Sequence, residues 1–262
     1  MKRTLALILL VVFVFSSASA AKKKPLCKPN LDKCPLVGCG GGDPELNKRK
    51  NIRTNNQEPT LRTLKFMKEI DDPDKKEFKK THDRALLTPL GEGEMITVTG
   101  YLLAARTGSA ESCNCRLTKP SETDNHLVLV EEETLNLTAK ATKAKPATAT
   151  KKAVKAKTAR ENTLARRELQ SITAEFTPRV KKDHPNFKRE NLTGRIDAAP
   201  KKALLVRVTG LLMFDSEHFL GRKLPRVNNW EIHPVMKLEF CETGNDCTAN
   251  TDGGWRSLND LP

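Results

Sequence analysis

The chain has 262 residues, of which 37% are hydrophobic and 30% charged, and its formal net charge is +14. The length allows one domain with a sizeable core and flanking segments. The mean hydropathy of −0.53 excludes a chain built mainly of membrane-spanning helices. Aromatic residues make up only 5%, which argues against a single-stranded nucleic-acid groove built on stacked rings.

Residues 1–20 predict a cleavable secretory signal peptide. Lys2 and Arg3 provide the positive start, residues 4–15 form an apolar core, and residues 18–20 are a small-residue cleavage site. An apolar run of about twelve residues is too short to span a bilayer of roughly 30 Å. We expect cleavage after Ala20 and a secreted or periplasmic mature chain without a transmembrane segment.

The leader, residues 21–42, is rich in Lys, Pro, Cys and Gly and predicts a loop held by disulfides. In an oxidising compartment cysteines pair, and an odd count leaves at least one unpaired. Cys241 and Cys247 bracket a short polar turn and predict a local bridge. Cys113 and Cys115 are too close in sequence to bond each other without strain. The disulfide candidates are Cys27, Cys34, Cys39, Cys113, Cys115, Cys241 and Cys247.

Residues 43–90 predict a short helical segment, too small to bury a core alone. Asp43 and Pro44 have the pattern of a helix start, and we expect that helix to run to about Asn51. A second helix is predicted from Thr60, because apolar residues follow at helical spacing. The charged stretch 71–80 predicts a solvated connection.

Residues 91–247 predict a barrel. The run 96–103 is echoed by 206–213, and each has a glycine halfway along, Gly100 and Gly210, which marks a bulge or a sharp coil. Alternating apolar residues predict five strands at 95–106, 125–131, 171–178, 203–214 and 230–241. A long polar connection, 180–200, separates the third strand from the fourth, as in the OB fold.

Residues 139–167 carry ten cations and a single carboxylate, Glu161. The stretch 140–160 is almost wholly Ala, Lys, Thr and Pro, which buries too little apolar surface to offset the entropy of ordering. It predicts a disordered basic insertion that binds a polyanion, nucleic acid or an acidic polysaccharide. A solvated insertion without a partner is the competing interpretation. The predicted polyanion-binding residues are Lys140, Lys143, Lys145, Lys151, Lys152, Lys155, Lys157, Arg160, Arg166 and Arg167.

The fold class is therefore mainly β: a five-stranded OB-like barrel with a short helical N-terminal prelude and a disordered basic insertion. Residues 248–262 predict a flexible polar tail. Strand alternation places one face of the fifth strand in the core, namely Trp230, Ile232, Met236, Leu238 and Phe240. The same alternation turns another set outward: Tyr101, Glu175, Arg207, Glu231, His233, Lys237 and Glu239.

These outward residues, with others at strand ends, suggest two candidate sites. Asp215, His218 and His233 are candidate metal ligands, and Glu231, His233 and His126 are candidate catalytic acid–base groups. No tight histidine spacing supports either site, so a polar barrel surface is the competing interpretation. Cys113 or Cys115 with His126 would suit nucleophilic catalysis, for which disulfide formation is the alternative.

Several segments also resemble a family of exported bacterial proteins of uncharacterised function. The segments are 38–44 (GCGGGDP), 98–102 (VTGYL), 112–115 (SCNC), 175–179 (EFTPR), 208–210 (VTG) and 230–235 (WEIHPV). The resemblance implies an OB-like barrel and no particular activity.

We therefore expect an exported, non-enzymatic binding module that engages a polyanion through its basic insertion and needs no cofactor. One alternative is a metal-assisted phosphoester hydrolase or nuclease on the barrel, which would use a divalent metal. Another is a structural envelope protein that docks another protein.

Overall fold

The computed structural model describes residues 27–53, 56–147, 152–221, 224–242 and 244–262. The predicted signal peptide and Lys151 lie outside the described residues.

Five strands close into a barrel: β2 (Met95–Thr107), β3 (Asn125–Val130), β4 (Ile172–Phe176), β5 (Leu204–Phe214) and β6 (Trp230–Cys241). Their order is β2-β3-β4-β6-β5, and β5 pairs again with β2. Only the β4–β6 pair within this ring is parallel. This is the OB arrangement, and it confirms the predicted fold class. Two short strands extend the sheet: β1 (Thr60–Arg62) pairs with β2 and β7 (Trp255–Ser257) pairs with β6.

Gly100 and Gly210, the glycines of the two similar runs, have different structural roles. A Cβ at Gly210 would collide with the carbonyl oxygen of Pro234, at a point where the β5–β6 register shifts. Gly210 therefore permits a bulge. A Cβ at Gly100 would instead collide with the side chain of Leu64, so this glycine lets a helix approach the barrel.

The register shift also corrects one core assignment. Trp230, Ile232, Leu238 and Phe240 are buried in the main core, as predicted. Val235 is buried there as well, whereas Met236 is only partly buried against that core. Strict alternation does not survive the irregular pairing around Gly210.

Three helices precede the barrel: α1 (Pro44–Lys50), α2 (Leu64–Glu69) and α3 (Lys75–Thr81). Asp43 caps α1 as predicted. The predicted start of the second helix is wrong, because 60–62 is β1 and Thr63 caps α2. The stretch 71–80 is also not a plain connection, since α3 begins after Asp74 and buries Phe78 completely.

The connection between β4 and β5 contains α5 (Pro178–Asp183) and α6 (Arg189–Ala198), and α7 (Ser216–Leu220) follows β5. Short 3₁₀ turns lie at Leu31–Lys33, Arg84–Leu90, Pro120–Glu122, Glu132–Asn136, Pro200–Lys202 and Leu258–Asp260.

The basic insertion is more ordered than predicted. Its end forms α4 (Ala159–Glu168), which begins with a capping box between Thr158 and Glu161. Arg167 is buried and donates hydrogen bonds to three backbone carbonyls. Before α4, isolated bridges join Thr142 to Lys157 and Lys145 to Val154, which makes a two-stranded ribbon. Hydrogen bonds, rather than apolar burial, order this segment. Amino-acid composition gives no information about such bonds, so it predicted disorder.

The C-terminal segment is not a loose tail either. β7 pairs with β6, and Leu258 and Leu261 are buried against the main core. The predicted flexibility of 248–262 is wrong for these residues, because each buried leucine contributes on the order of 2 kcal/mol of apolar burial.

Three disulfides are formed: Cys27–Cys39, Cys34–Cys115 and Cys241–Cys247. The local bridge at Cys241 is confirmed, and so is the absence of a bond between Cys113 and Cys115. Cys113 is the free cysteine among the described residues, and it is buried. Within the described part of the chain, no helix combines the length and apolarity needed to cross a bilayer.

Candidate functional site: a buried histidine–carboxylate cluster

Strand register assembles a polar cluster on the outside of the barrel. His126 of β3 is paired directly with Glu175 of β4. The parallel pairing of β4 with β6 sets Ala174 beside Ile232, so Glu175 and His233 follow as neighbours on the opposite face. We call Glu111, Asp124, His126, Glu175, Glu231 and His233 the His–carboxylate cluster.

These residues do not form an exposed polar surface, so that interpretation is wrong. Glu231 and His233 have no exposed surface, and Glu175 is 4% exposed. They are covered by α1, through Lys50, and by the loop after β2 that carries Glu111. The leader and α1 hold this loop in place. The Cys34–Cys115 disulfide joins the loop to the leader, and the side chain of Asn51, at the end of α1, donates to the carbonyl of Cys113 at 3.0 Å.

Glu175 lies between the two imidazoles. Nε2 of His126 is 3.5 Å from Oε1 of Glu175 and 3.5 Å from Oε1 of Glu111. Nδ1 of His233 is 3.1 Å from Oε2 of Glu175 and 3.1 Å from Oε1 of Glu231. Each oxygen of the Glu175 carboxylate therefore faces a different histidine.

Two positively charged side chains lie at the edge of the cluster. Lys50 Nζ lies 3.1 Å from Oε2 of Glu111 and 3.9 Å from Oε1 of Glu231. Arg226 donates to Oε2 of Glu231 at 3.0 Å and to Oδ2 of Asp215 at 2.6 Å.

The predicted metal set of Asp215, His218 and His233 is not assembled. Asp215 and His218 are bonded to each other at 2.5 Å, and Arg226 stands between Asp215 and Glu231. Asp215 and His218 thus form a separate pair at the end of β5. Of the predicted catalytic residues, His126 and His233 do meet, through Glu175, and Glu231 contacts His233.

Two buried ring nitrogens of the cluster, Nε2 of His126 and Nε2 of His233, make no hydrogen bond of ordinary geometry among the described residues. Buried polar groups are nearly always hydrogen-bonded, and leaving one unpaired costs about 1–3 kcal/mol. Two such nitrogens at one place make the cluster a candidate ligand site.

The pKa values show how the cluster is charged without such a ligand. The charges of Glu175 and Glu111 raise the pKa of His126 to about 9, against the effect of burial. Burial would lower the pKa of His233, but Glu175 and Glu231 raise it to about 10. Burial would likewise raise the pKa of Glu175, but the two histidines lower it to about 2. Both imidazoles are therefore cationic at neutral pH, so a divalent ion at Nε2 of His126 would have to displace the proton held there.

Burial, with the nearby charge of Glu111, raises the pKa of Asp124 to about 7. Burial also raises the pKa of the Cys113 thiol well above its ordinary value. Cys115 is oxidised in a disulfide, so its suggested role as a nucleophile is wrong. Cys113 contacts the carboxylates of Glu111 and Asp124, which oppose formation of a thiolate.

Three groups of side chains in the described ranges place ligand atoms within 4.8 Å of one another: Glu111–Cys113–Asp124, Glu111–His126–Glu175 and Asp124–Glu175–His233. A tetrahedral zinc ion bound to N and O at about 2.1 Å separates its ligand atoms by about 3.4 Å. The two 3.5 Å distances at His126 match this separation. The third distance, between the two carboxylate oxygens, is within 4.8 Å, so the second group is a candidate metal site.

This second group also reaches solvent. The side chain of His126 is 28% exposed and that of Glu111 is 17% exposed. A small ligand can approach the cluster at this corner.

The other predicted outward residues lie elsewhere. Tyr101 is half-buried beside the small apolar cluster around Leu103. Arg207 is buried rather than exposed: it pairs with Glu239 and lies 5.1 Å from the ring centre of Trp255 in β7.

The predicted polyanion-binding residues divide into two groups. Arg160 pairs with Asp197, Arg166 donates to the carbonyl of Thr138, and Arg167 is buried. The remaining described ones are exposed, and none has a carboxylate oxygen within 4 Å in the described ranges; they are Lys140, Lys143, Lys145, Lys152, Lys155 and Lys157. The ribbon follows the C-terminal end of β3, whereas His126 is near its N-terminal end. The ribbon and the cluster thus lie at opposite ends of the β3–β4 pair.

Sequence reasoning missed Lys50, Glu111 and Asp124. Each lies outside the strands whose alternation was used, in a helix or a loop. The one available signal was the odd Cys113–Asn114–Cys115 spacing, which marks the loop that carries Glu111.

Fold and site together define a closed OB-type barrel with a buried histidine–carboxylate cluster on its outer face, covered by α1 and by a loop that a disulfide joins to the leader. No family model, no curated protein and no solved structure matches the chain.

Proposed function

We propose that this protein is exported and that its His–carboxylate cluster binds one divalent transition-metal ion between Glu111, His126 and Glu175. The observation that carries the proposal is the buried Nε2 of His126, which makes no hydrogen bond of ordinary geometry within the described part of the chain yet lies 3.5 Å from each of two carboxylate oxygens. Imidazole with carboxylates suits borderline ions such as Zn²⁺, Fe²⁺ and Mn²⁺. The three disulfides fit an oxidising compartment and support export.

The second oxygen of each carboxylate is already held. Lys50 lies 3.1 Å from Oε2 of Glu111, and His233 lies 3.1 Å from Oε2 of Glu175. Such supporting contacts orient ligands and are typical of metal sites. They leave Oε1 of both carboxylates turned toward His126.

Three protein ligands leave a coordination position for water, and this is the pattern of catalytic zinc sites. A bound ion lowers the pKa of such a water toward neutrality. The metal-assisted phosphoester hydrolase is therefore proposed at Glu111, His126 and Glu175, with Glu231 and His233 as supporting residues.

The test is equilibrium dialysis of the mature protein against Zn²⁺. We expect about one ion per chain, and a loss of at least about tenfold in affinity for His126→Asn and for Glu175→Gln. His82→Asn is the matched control, since His82 is exposed and lies outside the cluster. Equal binding by His126→Asn and the control would contradict the proposal. Metal-dependent cleavage of an activated phosphodiester then tests the hydrolase part separately.

A second candidate function is polyanion binding by the ribbon, supported by its exposed lysines, which have no carboxylate oxygen within 4 Å among the described residues. Binding to a DNA duplex should weaken steeply with salt, because released counterions drive it. Changing Lys143, Lys145 and Lys155 to Gln should flatten the slope of log K against log salt by up to about 3. The same change at Lys76, Lys79 and Lys80 of α3, which are exposed, is the charge-matched control. Equal flattening in both variants would show that only the net charge matters.

A further inference from the structure

We infer that a cavity between α4, α6 and β2 binds a single-chain amphiphile with an anionic head group, of the fatty-acid class. The cavity has a volume of about 620 Å³ and opens to solvent along one side. This volume lies within the range of small-molecule sites, about 300–1,000 Å³. The site is independent of the metal cluster, since none of the cluster residues lines it.

The floor and walls of the cavity are apolar. Leu103, Ala104 and Ala105 of β2 form one side, Leu164 of α4 another, and Ile196 of α6 a third. Two small alanines on the strand create the depth, and a chain of methylene groups would bury apolar surface there. The insertion contributes α4 as a wall, which gives this helix a role that its composition did not suggest.

The rim of the cavity carries more positive than negative charge. Arg106 pairs with Glu168, and Arg160 pairs with Asp197, so these four charges cancel. Lys201 and Lys202 also line the cavity, and neither has a carboxylate oxygen within 4 Å in the described residues. Lys201 Nζ contacts Oδ1 of Asn136 at 3.2 Å, and Lys202 Nζ donates to the carbonyl of Asp197. Two ammonium groups beside an apolar cavity suit a carboxylate with a hydrocarbon tail.

The backbone at these lysines is strained. Lys201 has φ 52° and Lys202 has φ 55°, so two consecutive non-glycine residues occupy the left-handed region. Each costs roughly 1–2 kcal/mol. Strain of this kind is concentrated at ligand-binding sites. Here the two strained lysines are consecutive residues at the rim of the cavity, just before β5 begins.

The experiment titrates the mature protein with dodecanoate, below its micelle concentration, by isothermal calorimetry. We expect saturable binding at about one molecule per chain. Ala104→Phe, which fills the cavity, should abolish it. Lys201→Gln combined with Lys202→Gln should weaken dodecanoate about tenfold and leave the uncharged dodecanol unchanged.

Lys76→Gln combined with Lys79→Gln, on α3, removes the same charge away from the cavity and should have no effect. The rim substitutions are at exposed positions, so they keep the test valid even if Ala104→Phe fails to fold. Absence of saturable binding, or an equal loss in the rim and α3 variants, would overturn the inference.

Discussion

Nε2 of His126 is the atom on which the proposed metal site rests. Its neighbours at 3.5 Å are both carboxylate oxygens, and among the residues that the structure describes it makes no hydrogen bond of ordinary geometry. A histidine serving only as an ion-pair partner would be expected to approach one carboxylate to about 2.7–2.9 Å. The equal and longer distances are those that the proposed metal site requires of its ligand atoms.

At the same scale, the Asp215–His218 pair predicts a pH dependence of stability. Burial would raise the pKa of Asp215, but its bond to His218 and the charges of Lys50 and Arg226 hold it well below the usual range. The same bond raises the pKa of His218. A histidine whose pKa is raised on folding stabilises the folded protein. This stabilisation is fully present below the pKa of the unfolded state, about 6.5, and is lost as the pH rises through the pKa of the folded state.

The measurement is urea unfolding of the native protein and His218→Asn. The native protein should exceed the variant in unfolding free energy at about pH 6, and the difference should shrink by about pH 9. A difference that is the same at both pH values would mean that His218 acts through packing rather than through its charge.

At the scale of elements, the strands were predictable and several helices were not. Alternation located all five barrel strands, because each buries one face in a common core. The helices α3 and α4 were missed because neither owes its formation to an apolar stripe. α3 buries the single ring of Phe78, and α4 relies on its cap and on Arg167.

The capping box of α4 can be tested directly. Thr158→Ala removes the hydroxyl that accepts from the Glu161 amide, and it should lower the stability of α4 by about 1 kcal/mol. Hydrogen exchange of the α4 amides should rise accordingly, while exchange in β2 stays unchanged. Thr158→Ser, which keeps the hydroxyl, is the control. Equal exchange in the alanine and serine variants would show that the cap does not hold this helix.

The cluster could be predicted only in part, and the reason also belongs to this scale. Strand alternation correctly predicted that the side chains of Glu175, Glu231 and His233 point away from the barrel core. Their burial comes from α1 and from the loop carrying Glu111, which are distant in sequence and packed by tertiary contacts. Strand periodicity carries no information about what covers the outer face of a barrel.

At the scale of the whole molecule, the leader holds in place one of the segments that cover the cluster. The Cys34–Cys115 disulfide spans 81 residues and ties the leader to the loop that carries Glu111. Removing both cysteines with Cys34→Ser and Cys115→Ser should lower the unfolding free energy by about 2–5 kcal/mol and weaken Zn²⁺ binding. Thermal unfolding and Zn²⁺ dialysis of the same preparation measure the two effects.

The matched control is the Cys241→Ser and Cys247→Ser pair, whose disulfide spans only 6 residues at the end of β6. It should leave Zn²⁺ affinity unchanged. If both pairs weaken Zn²⁺ binding equally, the leader has no specific role in holding the cluster.

The most direct test of the metal assignment is a crystal structure of the mature protein grown with Zn²⁺, recorded at the zinc absorption edge. The proposal predicts one anomalous peak about 2.0–2.2 Å from Nε2 of His126 and from a carboxylate oxygen of both Glu111 and Glu175. No peak at this cluster with zinc in excess, or a peak beside Asp215 and His218 instead, would contradict it.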